Sequence, residues 1–124
     1  GRSLPCYGTT HADYVHGDIP CTEFITRQEI QRGYEYATGE QIVAALSGLD
    51  PLKCPMVLVA GHAPFTWGKD AAEAVYHAVV LEELARMAQL SLAIAPAMER
   101  LPPAILDKHF ERKHGTQAYY GQKK

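Results

Sequence analysis

Met56-Val57-Leu58-Val59-Ala60 is a continuous apolar run preceded by Pro55 and followed by Gly61. Such a run, bounded by turn residues, predicts a strand buried on both faces. A strand of that kind needs neighbours that satisfy its backbone N–H and C=O groups. Downstream, Gly68-Lys69-Asp70 precedes a long segment whose polar positions are few: Glu73, His77, Glu82, Glu83, Arg86, Gln89 and Ser91. The pattern predicts a helix over 71–92, with Asp70 as its cap and Glu73 three residues on. With so few polar positions, most of that helix surface should be covered by protein.

Shorter elements follow from local signals. Thr26 to Glu29 has the T-x-x-E pattern of a capping box, so a short helix begins there and stops near Gly33. Ile42, Val43, Ala45 and Leu46 predict a helix over 39–46, ended by Gly48 and Pro51. Pro103 suits a first helical turn, and a last helix should run over 103–114 to Gly115. Residues 1–22 hold Pro5, Gly8, Gly17 and Pro20 and read as short extended pieces joined by turns. The tail after Gly115 offers Tyr119 and Tyr120 but little else to anchor it. With one clear strand, the segment does not close a sheet by itself, and more chain is expected.

Composition narrows the classes of function. The 124 residues are 47% hydrophobic, enough for one packed domain and against general disorder. A formal charge of −2 supplies no attraction for nucleic acid or an anionic membrane. Val75 to Ile94 is interrupted by Glu82, Glu83 and Arg86, so no apolar stretch reaches the roughly 20 residues that span a bilayer. The start lacks a signal-peptide pattern and an initiating Met, which suggests processing or a position inside a longer protein. Three cysteines, Cys6, Cys21 and Cys54, form no C-x-x-C pair. They read as packing or surface thiols in a reducing compartment, with the cytoplasm as the expected location.

Two clusters could carry chemistry. His62 follows the apolar run in Gly61-His62-Ala63-Pro64-Phe65, where a strand-end imidazole can project into a cleft and serve as a zinc ligand. An ordinary hydrogen-bonded histidine is the alternative, and no H-x-H or H-x-x-x-H pair stands beside it. Gly8-Thr9-Thr10-His11-Ala12-Asp13-Tyr14 is the second cluster. If extended, it places Thr9, His11 and Asp13 on one face, suited to acid/base work. By the residues alone, a polar loop whose Thr and Asp satisfy turn backbones is the favoured explanation. Tyr119 and Tyr120 are phenols in the tail, Glu35 lies between two tyrosines, and His109 lies on the last helix. Taken singly, Glu35 and His109 read as solvated surface positions. Phe65 and Trp67 should pack the turn after the strand.

Taken together and in order, the pieces resemble the L-ribulose-5-phosphate 4-epimerase family. They are Gly8 to Tyr14; Ile19-Pro20-Cys21-Thr22; Gly61 to Lys69; Asp107-Lys108-His109; Arg112-Lys113-His114-Gly115; and Ala118-Tyr119-Tyr120-Gly121-Gln122. The resemblance spans the whole chain and implies an α/β class II aldolase-like fold, an α/β/α sandwich around a mainly antiparallel sheet. Residues 1–124 would be the carboxyl-terminal half of that single domain. It further implies a homotetramer, a sugar-phosphate substrate and zinc or another divalent cation. The reaction implied is interconversion of L-ribulose 5-phosphate and D-xylulose 5-phosphate by retro-aldol cleavage and re-formation of the C3–C4 bond. By matched position, His62 is a metal ligand, Asp13 one acid/base group and Tyr120 the other, reaching in from a neighbouring subunit. Thr9 positions the aldehyde fragment, and Glu35 and His109 assist near the site.

In this family an H-x-H pair precedes the segment seen here, so the missing amino-terminal half is needed to complete the metal site. The isolated chain is expected to be inactive. His16 stands where a Tyr is common, either as a surface change or an adventitious ligand. Two other readings are an aldolase of the same fold acting on a substrate such as L-fuculose 1-phosphate, and a non-catalytic assembly module. The Thr-Thr-His-Ala-Asp run with Tyr-Tyr-Gly-Gln favours the epimerase over the aldolase.

Overall fold

The structure is a computed structural model and describes residues 1–120. Gly121-Gln122 of the tail motif and the Lys123-Lys124 run lie outside the described residues. In chain order the elements are α1 (Thr9–Ala12), α2 (Arg27–Arg32), α3 (Tyr34–Ala45), β1 (Met56–Val57), β2 (Phe65–Thr66), α4 (Ala71–Ile94) and α5 (Pro103–His114).

The apolar run lies at the centre, paired on both sides but by short pieces. β1 and β2 are antiparallel, with Met56 opposite Thr66 and Val57 opposite Phe65. Leu58 then changes partner and forms a parallel bridge with Cys21. Leu58 N–H donates to the Pro20 carbonyl at 2.9 Å, and Thr22 N–H donates to that of Leu58 at 2.9 Å. Met56, Val57 and Val59 are buried as predicted, with Leu58 and Ala60 half-buried, while the regular strand is only the first two residues. Among the described residues the sheet has two strands, so the full sandwich is not formed by this segment.

The core joins this run to the chain before and after it. Val15, Ile19, Cys54, Met56, Val80, Leu81 and Leu84 form one buried cluster, with Leu4, Tyr14 and Leu58 packed against it. α4 contributes Val80, Leu81, Leu84 and Ala88, which share one face at helical spacing. Its other faces are open. Val79 is 65% exposed and Ile94 86% exposed. The expectation that protein covers most of this helix is therefore not met among the described residues.

Helix ends follow the capping signals. Thr26 accepts from Glu29 N–H, and the Glu29 carboxylate accepts from Thr26 N–H at 2.8 Å, which completes the predicted box. α3 starts at Tyr34, five residues before the predicted start, because Gly33 (φ 130°) turns the chain directly from α2 into α3. At α4 the Asp70 carboxylate accepts from Glu73 N–H at 2.8 Å, while Glu73 reaches back one residue further than expected, to Lys69 N–H at 2.7 Å. Asp70→Ala should cost about 1 kcal/mol. That loss should lower the urea midpoint and leave the slope unchanged. An unmoved midpoint would mean that the Glu73–Lys69 bond alone secures this end.

Candidate functional site

Thr9-Thr10-His11-Ala12 forms one helical turn, α1, rather than the extended piece expected, and Asp13 is its C-cap. At about 3.6 residues per turn, positions four apart share a face and those two apart do not. Thr9 and Asp13 therefore stay together, with Asp13 N–H donating to the Thr9 carbonyl at 2.9 Å. His11 swings the other way and is buried. Burial pushes its imidazole below its usual pKa, against the opposing effects of the Gly17 carbonyl and the Asp18 charge. His11 is thus a neutral interior group and not part of an acid/base face.

Asp13 meets α5. His109 Nδ1 lies 3.0 Å from Asp13 Oδ1. Arg112 donates from Nε at 3.2 Å to Oδ1, and from Nη2 at 3.0 Å to both carboxylate oxygens. Lys113 Nζ stands 3.7 Å from Oδ2. The three basic residues sit at i, i+3 and i+4 of one helix, so one α5 face grips one carboxylate. Burial, to 14% side-chain exposure, raises the Asp13 pKa. Hydrogen bonds from Arg112 and His109 and the charges of Lys113 and Arg112 outweigh it, and the net value falls below the ordinary carboxylate range. Asp13 is held ionised.

The tail folds back onto the same helix. Tyr119 and Tyr120 N–H groups both point at the Arg112 carbonyl, at 3.0 and 3.1 Å. The Tyr120 ring covers the Arg112 guanidinium at 4.3 Å, and the Tyr119 ring faces Lys108 Nζ at 5.5 Å. Cation–π contact with α5 supplies the anchor that the tail sequence did not show. Tyr120, expected to reach in from a neighbouring subunit, rests on Arg112 of its own chain. His109 is half-buried against Asp13 instead of solvated. His114 Nε2 donates to the Asp13 carbonyl at 2.9 Å. The sequence motifs gave roles to Asp13, His109 and Tyr120 but none to Arg112, which joins them and stood only within the Arg112-to-Gly115 motif. The available signal was the basic i, i+3, i+4 spacing of residues 109, 112 and 113.

His62 and Glu35 occupy a second place. His62 is exposed at the end of the apolar run. Its Nδ1–H donates to the Ala63 carbonyl at 3.0 Å, and its ring stacks on Phe65 at 5.6 Å. Phe65 therefore packs on His62 rather than into the core. Trp67 does secure the turn, donating from Nε1 to the Pro51 carbonyl at 2.9 Å. Glu35, in the first turn of α3, lines a cavity of about 320 Å³ with Tyr34, His62 and Phe65. α3 packs on α2, and α1 packs on α5. The predicted residues thus fall into an α3–β2 set and an α1–α5 set.

A backbone hydrogen bond at Nδ1 leaves the Nε2 lone pair of His62 outward, the arrangement a metal-ligating histidine commonly has. Zinc takes three or four protein ligands. Among the described residues no cluster of three or more His, Cys, Asp or Glu side chains could hold a metal ion. His62 therefore fits one ligand position, and these residues do not complete a site. His16 is engaged elsewhere, with Asp107 at 2.8 Å and the Phe110 ring at 5.0 Å. Burial pushes the Cys6 and Cys54 thiols up to about 11, which suits packing and not nucleophilic chemistry.

Residues 1–89 match the family described as Class II Aldolase and Adducin N-terminal domain. The chain belongs to this family. Over 123 residues it is 50% identical to L-ribulose-5-phosphate 4-epimerase UlaF of Salmonella paratyphi B, covering 99% of this chain and 54% of that protein. The same identity and coverage relate it to the UlaF proteins of Salmonella paratyphi C and Salmonella typhi. As a class II aldolase family member, the chain spans about half the length of the curated relatives it matches. No helix among the described residues is long and apolar enough to cross a membrane.

The grip on Asp13 has a consequence for acid stability in this family member. Asp13 has a depressed folded pKa, so its contribution is complete above the unfolded value of about 3.9. That contribution is lost as pH falls through the lower folded value. Asp13→Asn should therefore be less stable than the parent near neutral pH, with the gap closing below about pH 4. Denaturant titrations across that range check this, and a gap constant with pH would contradict it.

Proposed function

We propose that this chain is part of an epimerase that interconverts L-ribulose 5-phosphate and D-xylulose 5-phosphate, within the α/β/α sandwich that a longer class II aldolase-family polypeptide completes. The observation that carries this reading is the gathering of an ionised carboxylate, Asp13, and a phenol, Tyr120, on one guanidinium. Inverting C4 by cleavage needs a group that takes the C4 hydroxyl proton as the C3–C4 bond breaks. A second group must return a proton to that oxygen once the bond re-forms on the other face. A carboxylate held ionised can accept a proton, and a phenolic hydroxyl can donate one. Thr9, on the same face of α1 as Asp13, is placed to orient the aldehyde fragment, and His109 holds Asp13 in register.

His62 would be one ligand of a divalent cation, zinc as the first choice, with Glu35 beside it. When bound, such a cation supplies Lewis-acid stabilisation of the charge that develops next to the C2 carbonyl. The remaining ligands would come from outside this segment. Because the α3–β2 and α1–α5 sets lie on different elements, the reading places the site where two subunits of a homotetramer meet. One subunit contributes His62 and Glu35, and its neighbour contributes Asp13 and Tyr120 together.

The test uses a polypeptide joining this segment to the other half of the relatives' length. Incubated with L-ribulose 5-phosphate and zinc, it should form D-xylulose 5-phosphate. Net release of glycolaldehyde phosphate would favour the aldolase reading. The open apolar face of α4 favours assembly as a second role, and oligomerisation without turnover would leave assembly as the function.

A further inference from the structure

We propose that Arg112 is a positioning residue that holds Asp13 and Tyr120 as one charge-sharing unit. The deeper claim rests on the acid/base reading above. The guanidinium uses its edge for Asp13, with three hydrogen bonds of 3.0 to 3.2 Å, and its face for the Tyr120 ring at 4.3 Å. Its own backbone carbonyl accepts from Tyr120 N–H at 3.1 Å, so the backbone that carries the ring is tied to the same residue. Lysine provides no planar fork and no stacking face, so this double use is specific to arginine.

The arrangement bears on proton balance. Before cleavage the unit holds one negative charge, on Asp13, and one phenolic proton, on Tyr120. When Asp13 has taken the C4 hydroxyl proton and Tyr120 has given its own to the re-formed alkoxide, Asp13 is neutral and Tyr120 is a phenolate. The negative charge has moved from the edge of the guanidinium to its face, and the total is unchanged. Contact with a phenolate is stronger than with a phenol, since the ring then carries formal charge opposite the cation. Arg112 thus stabilises both resting forms of the pair. Consistent with this, the Arg112 pKa is raised, first by the hydrogen bond to Asp13, while burial opposes and the charges of Asp13, Tyr120 and Tyr119 add.

Other charged and titratable groups face the same place. On α5 these are His109, Lys113 and His114; from the chain after α1, Tyr14, whose ring lies 4.9 Å from Lys113 Nζ; and from the tail, Tyr119. Lys113 also stands 5.6 Å from the Tyr120 ring centroid. Among the described residues only Arg112 combines a bidentate grip on Asp13 with a face against Tyr120.

The experiment is a carbon-13 NMR titration of the Asp13 carboxyl and the Tyr120 phenolic carbon in the chain itself, with Arg112→Gln and Arg112→Lys. In Arg112→Gln both midpoints should rise together. In Arg112→Lys they should move less, because a cation remains, but the upfield ring-current shift on the Arg112 side-chain protons should be absent from the lysine. A Tyr120 midpoint that stays in place in both variants while that of Asp13 rises overturns the proposal, since Arg112 then serves Asp13 alone. In the polypeptide that joins both halves, either variant should lower kcat about 10²-fold with KM little changed. A dead parent polypeptide with coupled NMR midpoints would reject the epimerase reading and leave the unit intact. An active parent with uncoupled midpoints would do the reverse.

Discussion

Asp13→Asn, in a polypeptide joining this segment to the other half of the relatives' length, should reduce turnover by about 10²–10⁴-fold. The substitution keeps an oxygen that accepts from Arg112 and His109, so the α1–α5 contact should persist. It removes the negative charge and with it the capacity to take a proton. Metal content should be unchanged, because Asp13 lies in the α1–α5 set and not beside His62. Tyr120→Phe should behave likewise, since its ring can still cover Arg112 while the phenolic proton is gone. A coupled assay for D-xylulose 5-phosphate with metal analysis of each variant measures both effects. Combined, the two substitutions should cost less than the product of their separate effects, because both groups act through one guanidinium. Unaltered rates in both variants would remove the pair from the mechanism.

His62→Ala is the second change with a large expected effect. In the same polypeptide it should lower bound divalent metal and abolish activity together. The Nδ1 bond to the Ala63 carbonyl fixes which ring nitrogen faces outward, so the deleted group is an oriented ligand and not a mobile side chain. Loss of a partner that merely orients a ligand costs about 10–100-fold, and loss of the ligand should exceed that. His62→Ala should leave folding intact, because the ring is exposed and touches mainly Phe65. Full metal occupancy and an undiminished rate in this variant would show that His62 is no ligand.

Much of the local structure could be read from residues within a few positions of each other. The Thr26/Glu29 box, the Asp70 cap and Pro103 at a first turn are signals of short range, and α2, α4 and α5 begin where they say. The burial of Met56, Val57 and Val59 followed from the uninterrupted apolar character of the run. Extended geometry for residues 9–13 did not hold, because four polar and small residues after a glycine carry no period strong enough to separate a strand from a single helical turn. α3 began early for a similar reason: Tyr34, Glu35 and Tyr36 are ordinary surface residues, and only the positive φ at Gly33 commits them to a helix directly after α2.

The candidate site divides in the same way. Asp13, His62, Tyr120, Glu35 and His109 were identifiable as individual residues by motif, and Glu35 does share a cavity with His62, as His109 shares Asp13. What the sequence by itself determined was the capping of the helices, the buried central run and membership of the family by matched residues in order. Only the tertiary structure decided that Arg112, ninety-nine positions from Asp13, grips it with one edge and supports Tyr120 with one face. The spacing of residues 109, 112 and 113 marks one basic face of α5, but which carboxylate that face meets depends on where α1 and α5 come together in space, and no periodicity records it.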